Sequence, residues 1–459
     1  GQVALPLIGK DAFQEVDIIS STLPFTKHSY LVKDCDDIPR IVNEAFHIAT
    51  TGRPGPVLID FPVDVLKQES AGEKENDTIS LRGYKLPGKA NECQVRKVAE
   101  ALKKARKPLI LAGGGVTCSD AVAEFRDPID KINIPVVSTM MGIGVMPSDD
   151  KRYYGMIGSH GAKRANILLN RSDLVIVMGS RLGDRSVANA KGLEKANKLI
   201  HIDIDPAEIG KNMQPSIPVV GDIKDVIQQL GPMLEGYSAP EAWVEEADEV
   251  RSMLAYKRPT DDRGYVDPRY FLERLADKTG SEIYLTTEVG QNQIWCVNHY
   301  NVKDSRHFLT SGGFGTMGYG LPAAIGASKA QSELPVVAIM GDGSFQMDMP
   351  ELGTMTQYKL PVKMVLFRNN RLGMVHEHQY LYFGSNYQMV DLGDEPDFNK
   401  IAEAYGIKSG NVCENSKVDA AIDEMLADRE SYLLVVKVDP YETTGDSLNE
   451  NKMTFRQED

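Results

Sequence analysis

The sequence predicts an α/β fold built from three parallel-sheet modules. Three observations predict it. Short, largely apolar runs such as "VVAIM" (336–340) and "VKMVLF" (362–367) read as strands buried on both faces. These runs alternate with helix-length stretches, the order that builds βαβ units. Two polar stretches, 69–89 and 233–264, divide a chain of 459 residues that is too long for one core.

The first block runs to residue 68. It holds the helical pattern "DIPRIVNEAFHIATTG" (37–52), a Gly-Pro turn, "RPGP", and a strand, "VLIDFP". Residues 69–89 are rich in Gly, Lys and Glu without periodicity and read as a linker. The second block, 90–232, carries the strands "PLILAGG", "IPVVST", "DLVIVMGS" and "KLIHIDID" between helical stretches. A second polar stretch, 233–264, contains "GYSAPEAWVEEADEV" and also reads as a linker. The third block, 265–442, has strands "EIYLTTEVG", "VVAIMGDG", "VKMVLFRNN" and "YLLVVKVD". Residues 443–459 read as a loose polar tail.

Composition narrows the function classes. The chain is 42% hydrophobic and 25% charged, with no apolar run long enough to span a bilayer. A formal charge of −14 disfavours nucleic acid or an anionic membrane as partner. Five scattered cysteines without a CxxC pair argue against a disulfide framework or a zinc site, and fit a cytoplasmic protein.

Asp342 and Asn369 stand just after two buried strands, 27 residues apart in sequence with one helix expected between them, opened by Pro350. Ligands in open α/β sheets bind at the carboxyl ends of strands. A carboxylate and an amide oxygen converging there suit a hard cation such as Mg²⁺, which completes its oxygen shell with phosphates. Gly341 and Gly343 let backbone N–H groups approach those phosphates. Taken alone, each motif is also an ordinary turn.

The GDG…NN pair resembles the thiamine-diphosphate motif. The resemblance implies that Asp342, Asn369 and the carbonyl of Arg371 hold Mg²⁺, with Gly343 and Ser344 facing the diphosphate. "LGMV" (372–375) sets the register, so Arg368 stands where relatives carry the first Asn and Asn370 lies outside the pair. "SGGFGTMGYGLPAAIGA" (311–327) is similar to the segment of the acetohydroxyacid (acetolactate) synthase family that holds the cofactor's aminopyrimidine ring. By that match Met317 forces a bent cofactor, and Gly315 and Met347 join the site. "TTEVGQNQIW" (286–295) resembles the family's diphosphate loop, which adds Val289, Gly290, Gln291 and Asn292.

The middle block extends the match. "GMIGSHG", "MGSRLGDR" and "HIDIDPAEIGKN" look like the FAD-binding segments of the same family. The resemblance places Gly113, Gly114, Thr139, Gly158, Ser159 and His160 on flavin-contact positions. It adds Gly179, Ser180, Arg181, Asp203, Ile204, Asp222 and Ile223. The three modules are then the end of a pyrimidine domain (1–68), a central FAD-type Rossmann-like domain (90–232) and a diphosphate-binding domain (265–442).

In the first block Phe13, Gln14 and Lys27 match substrate-channel positions, where a basic residue suits a 2-oxo acid. Val375 and His378 match the active-site mouth. Relatives that favour 2-oxobutyrate as acceptor carry Trp where His378 stands, so a weaker preference for it over pyruvate is expected. The family's cofactor-activating Glu has no match here. A truncated catalytic subunit with little activity alone is therefore the expectation. The resemblance further implies a homodimer or tetramer and pairing with a regulatory small subunit. Glyoxylate carboligase, pyruvate oxidase and a non-catalytic module keeping the fold stay open as alternatives.

Overall fold

In the computed structural model, the described residues are 1–72, 79, 81–86, 88–187, 192–193, 198–259, 264–280, 282–330, 333–394 and 396–445. The chain divides into two compact units. One comprises Gly1–Ala90 with Ile204–Pro206 and Val220–Asp222; the other comprises Asn91–Asp203, Ala207–Val219 and Ile223–Asp459.

The first unit contains a two-stranded parallel sheet. Strand β1 (His28–Leu31) pairs with β2 (Val57–Asp60), and the helix Ile38–Thr50 connects them. Its small core gathers Val32, Ile41 and Val65. Lys27 caps that helix from its C-terminal end.

The second unit holds two six-stranded parallel sheets, so each predicted module contributes one sheet. The central sheet has the order β5-β4-β3-β6-β7-β8. Its strands are β3 (Pro108–Ala112), β4 (Val136–Ser138), β5 (Tyr153–Met156), β6 (Leu174–Met178), β7 (Lys198–Asp203) and β8 (Ile217–Val220). Leu109, Leu111, Val175 and Val177 bury one face, while Ile110, Ile176 and Met178 face the helices Val122–Ile132 and Ile223–Met233.

The C-terminal sheet has the order β10-β9-β11-β12-β14-β13. It is built from β9 (Tyr284–Thr287), β10 (Phe308–Thr310), β11 (Val336–Gly341), β12 (Val362–Arg368), β13 (Lys408–Val412) and β14 (Tyr432–Lys437). Val337, Ile339, Val365 and Phe367 join one apolar cluster; Val336, Ala338, Met340, Met364 and Leu366 join the other. Side chains that alternate across a pleat thus fill both faces, and burying each large one contributes about 1.5–3 kcal/mol.

Three sequence expectations need correction. Residues 241–253 form the helix Glu241–Met253 within the expected linker, burying Trp243, Ala247 and Val250 while its other face stays acidic. The Trp243 indole donates to the Pro108 carbonyl at 2.8 Å, fixing the helix to the central sheet. Between β11 and β12 lie two short helices, Asp342–Asp348 and Glu351–Tyr358, and Pro350 is the N-cap of the second. The expected tail begins anchored: Arg269 donates to the carbonyls of Thr443 and Gly445, both at 2.7 Å. The rest of that tail and part of the 69–89 linker (73–78, 80 and 87) lie outside the described residues. Among the described residues, no helix is long and apolar enough to cross a membrane.

Candidate functional site

Topology selects the place. In the C-terminal sheet β10 lies on one side of β9 and β11 on the other, so the chain reverses between β9 and β11. The crevice beyond the carboxyl ends of such strands is where α/β sheets bind ligands. Glu288–Gly290 follow β9, and Asp342 follows β11 as the first residue of its helix. Residues 289–292, 341–344 and 371–375, with Trp295, Met317, Phe367 and Asn369, line one cavity of about 90 Å³.

Asp342 is 3% exposed. Its Oδ2 accepts the N–H groups of Asn369 (3.1 Å) and Asn370 (2.6 Å), and Oδ1 accepts that of Gly343 (2.9 Å). Burial pushes its carboxyl up to about 6, against the lowering effect of the Asn370, Gly343 and Asn369 N–H groups. A cation would stabilise the ionised form.

Of the two asparagines after β12, Asn369 faces the cavity. Its Oδ1 accepts Arg371 N–H at 3.1 Å and its Nδ2 donates to Gln291 Oε1 at 3.0 Å. Asn370, at φ 57°, turns instead to Asp394, 2.7 Å away, and accepts from Arg368 at 2.8 Å. Arg371 lines the cavity while its guanidinium pairs with Asp391 (2.8 Å) and meets His376 Nε2 at 3.0 Å.

The loop after β9 supplies donors. Gly290, at φ 150°, is the N-cap of the helix Gln291–His299, and Gly290, Gln291 and Asn292 at this helix start line the cavity. Asn292 is 2% exposed; its Oδ1 accepts Gln293 N–H at 2.6 Å, while its Nδ2 has no hydrogen-bond partner. That orphaned donor lies 3.6 Å from where a Cβ on Gly341 would stand. A buried amide N–H without an acceptor is costly, and a phosphate oxygen beside Gly341 would satisfy it. The residues present therefore fit a diphosphate with a hard cation. Ser344 is buried there too, with its hydroxyl bridging the Gly341 backbone.

Met317 reaches the cavity beside Gly343, whereas Gly315 and Met347 are exposed and do not line it. Sequence reasoning missed Glu288, which is fully buried. Its Oε1 accepts Gly320 N–H (2.6 Å) and Leu321 N–H (3.4 Å); Oε2 accepts Gly318 N–H (2.9 Å) and Tyr319 N–H (3.3 Å). It caps the helix Gly320–Ala330 and fixes the backbone directly after Met317. The available signal was a lone carboxylate straight after the buried run "YLTT".

Val375 is exposed and lines the cavity. His378 is exposed, its ring 4.6 Å from Tyr382 and 5.9 Å from Phe383. It also helps depress His160, which burial first and Arg185 second push down to about 4.

The central sheet repeats the switch, between β3 and β6. Gly113 and Gly114 follow β3; Gly179, Ser180 and Arg181 follow β6. These glycines meet backbone to backbone: a Cβ on Gly113 would lie 2.2 Å from Gly179 O, and one on Gly158 2.2 Å from Arg185 O. Gly113 N–H donates to Met178 O and Gly115 N–H to Gly179 O. Thr139 and Ser180 are buried, Ser159 is half-buried and Arg181 exposed. Asp203 is buried 3.9 Å from His201 Nε2, which donates to Ser180 O, 2.9 Å away. Ile223 starts its helix in this unit, while Ile204 and Asp222 belong to the other.

In the first unit Phe13 is 87% exposed and Gln14 is exposed at φ 59°. Lys27 Nζ donates to Ile48 O, to Thr51 O (2.8 Å) and to the Tyr84 hydroxyl (3.2 Å). Its three donors are all engaged at the end of the helix Ile38–Thr50.

Two family models and several known proteins match this chain. Residues 95–230 match the family model described as thiamine pyrophosphate enzyme, central domain, and residues 288–436 the one described as C-terminal TPP binding domain. The chain is 40% identical over 452 residues to a protein named probable acetolactate synthase large subunit from Methanocaldococcus jannaschii, covering 96% of this chain and 76% of that protein. It is 38% identical over 443 residues to acetolactate synthase isozyme 2 large subunit of Escherichia coli, covering 96% and 79%. Against the acetolactate synthase large subunit of Haemophilus influenzae the identity is 36% over 477 residues, covering 100% and 82%.

Proposed function

The chain belongs to the acetolactate synthase large-subunit family of thiamine pyrophosphate enzymes, and from that premise we propose how its residues serve that chemistry. The reaction is the decarboxylative condensation of two pyruvates to acetolactate, or of pyruvate with 2-oxobutyrate to the larger homologue. Thiamine diphosphate, when bound, supplies the carbanion equivalent that this condensation needs. The protein binds, orients and shields it.

In this reading Asp342, Asn369 and the Arg371 carbonyl hold Mg²⁺. Gly341, Gly343, Ser344 and Asn292, with the helix start after Gly290, receive the diphosphate. Val289 and Met317 give apolar contact, and Glu288 holds the Met317 segment in place. The observation that carries it is the unpartnered Asn292 Nδ2, buried beside Gly341 in the cavity that Asp342 and Asn369 also line. Gly315 and Met347 come to the cofactor only if their exposed segments fold over it.

FAD at the central switch is a second element of the reading, supported by Gly113, Gly114, Thr139, Gly158, Ser159 and His160 around the turns after β3, β4 and β5. Gly179, Ser180, Arg181, Asp203, Ile204, Asp222 and Ile223 complete it. Phe13, Gln14, Val375 and His378 are assigned to the substrate channel, and Lys27 either to the 2-oxo acid or to its helix cap. A homo-oligomer and a small regulatory subunit are the partners this family role calls for.

Trp295 lines the cavity and makes the test direct. Thiamine diphosphate should quench its fluorescence only with a divalent cation present, and acetolactate formation should follow cofactor loading. Flavin reduction by pyruvate in place of acetolactate would move the assignment to an oxidase. A fluorescence response that ignores the cation would remove the metal site.

A further inference from the structure

Glu377 stands in sequence between Val375 and His378, with no role assigned to it above, and is buried, at 3% exposure, on the helix Gly373–Tyr382. Among the described residues, its carboxylate meets hydrogen-bond donors only. Thr444 N–H donates to Oε2 at 3.1 Å and the Thr444 hydroxyl to Oε1 at 2.7 Å. Gln291 Nε2 donates to the same Oε2 at 3.1 Å, and also to the Glu442 carbonyl at 2.8 Å.

An amide side chain has a donor end and an acceptor end, and its neighbours decide which points where. A backbone N–H can only donate, so Thr444 fixes Glu377 Oε2 as an acceptor. Two acceptors, Oε2 and the Glu442 carbonyl, then fix Gln291 with its NH₂ toward them. Its oxygen must face Asn369, which answers with Nδ2 at 3.0 Å. Asn369 Oδ1 is left on the side of Arg371 N–H and the cavity. Gly373 leaves room for this amide pair: a Cβ there would stand 1.9 Å from Gln291 Oε1 and 2.7 Å from Asn369 Nδ2.

We propose that Glu377 is a positioning residue for the cation ligand Asn369, acting through Gln291 to keep Asn369 Oδ1 facing the metal. The inference rests on the reading of Asn369 as a ligand. It assigns polarity, not charge, to Glu377. A Gln at 377 can present its oxygen to Thr444 N–H and Gln291 while its NH₂ meets the Thr444 hydroxyl, so it preserves the relay. A Met at 377 keeps the volume and removes the acceptor.

The experiment titrates Mn²⁺ into the full chain with saturating thiamine diphosphate, reading Trp295 fluorescence and water-proton relaxation. Residues that orient a metal ligand change affinity by about 10- to 100-fold, which is the loss expected for Glu377→Met. Glu377→Gln should bind like the parent. In an Asn369→Asp background Gln291 must present its NH₂ to position 369, and Glu377 then opposes the needed flip. Glu377→Met should therefore cost much less there than in the parent, a non-additive cycle. Thr444→Val, which loosens the carboxylate without removing it, is the milder variant should Glu377→Met not fold, and a smaller loss is expected.

If Asn369→Ala, or the parent itself, shows no cation-dependent response, the ligand reading falls. If Asn369→Ala weakens binding but Glu377→Met and Thr444→Val do not, only the positioning role falls. Equal losses for Glu377→Gln and Glu377→Met with an additive cycle would also overturn it, since that pattern is bulk damage.

Discussion

Asn292→Ala separates stability from function at one residue. In the ligand-free chain Nδ2 is buried and unpartnered, a state that costs about 1–3 kcal/mol. Truncation removes that cost. It also removes Oδ1, the acceptor of Gln293 N–H at 2.6 Å, which leaves a helix N–H unsatisfied at a similar cost. The two effects oppose each other, so thermal unfolding without cofactor should shift by no more than about 1 kcal/mol in equivalent stability. With a diphosphate bound the same N–H donates to a charged acceptor, worth about 1.5–3 kcal/mol. Affinity for thiamine diphosphate at saturating Mg²⁺ should then fall about 10- to 150-fold. Trp295 fluorescence gives the affinity and ligand-free calorimetry the stability. A variant that melts several degrees lower yet binds the cofactor unchanged would show that Asn292 serves the fold alone.

Other perturbations test the rest of the site. Asp342→Asn keeps shape and one acceptor oxygen but should abolish cation-dependent cofactor binding while the chain stays folded, as calorimetric titration would show. With its carboxyl raised to about 6, Asp342 is ionised above that pH in the ligand-free chain and protonated below it. The cation competes with that proton, so apparent Mg²⁺ affinity should be level above pH 6 and drop about tenfold per pH unit beneath it; affinity unchanged from pH 7 to pH 5 would contradict this. Lys27→Met should lower the melting temperature through loss of the helix-end contacts, a cation there being worth up to about 2 kcal/mol; a change confined to the pyruvate KM would instead place its amine on substrate. His378→Trp should raise the preference for 2-oxobutyrate over pyruvate by about tenfold or more, the scale of one methylene in an apolar pocket, measured by competition between the two acceptors.

The central strands were legible because most of their residues are apolar, a pattern that is stable only when both faces are covered. β11 and β12 are of this kind, and the polar residues that follow them marked the crevice. The strand β13, "KSGNV", was illegible: it lies at the sheet edge, is half exposed and carries Gly410. The helix Glu241–Met253 was hidden by its acidic outer face, since its buried stripe is only three residues wide. Glu288 and Glu377 escaped for another reason. A carboxylate that accepts four backbone N–H groups, or one that orients an amide 86 residues away, looks in sequence like any solvated Glu. Their partners come from the tertiary fold, which local pattern does not encode.

The crossing of Gly113 and Gly179 has a consequence for redesign of the central module. Because each turn occupies the space a side chain on the other would need, the two loops form a single interlocked joint. Enlarging either glycine would push the strands β3 and β6 apart rather than reshape a binding surface. Should this module take the dinucleotide proposed above, redesign of its preference has its freedom at the exposed Arg181. The joint itself is fixed geometry, and variation there would cost the sheet before it changed the ligand.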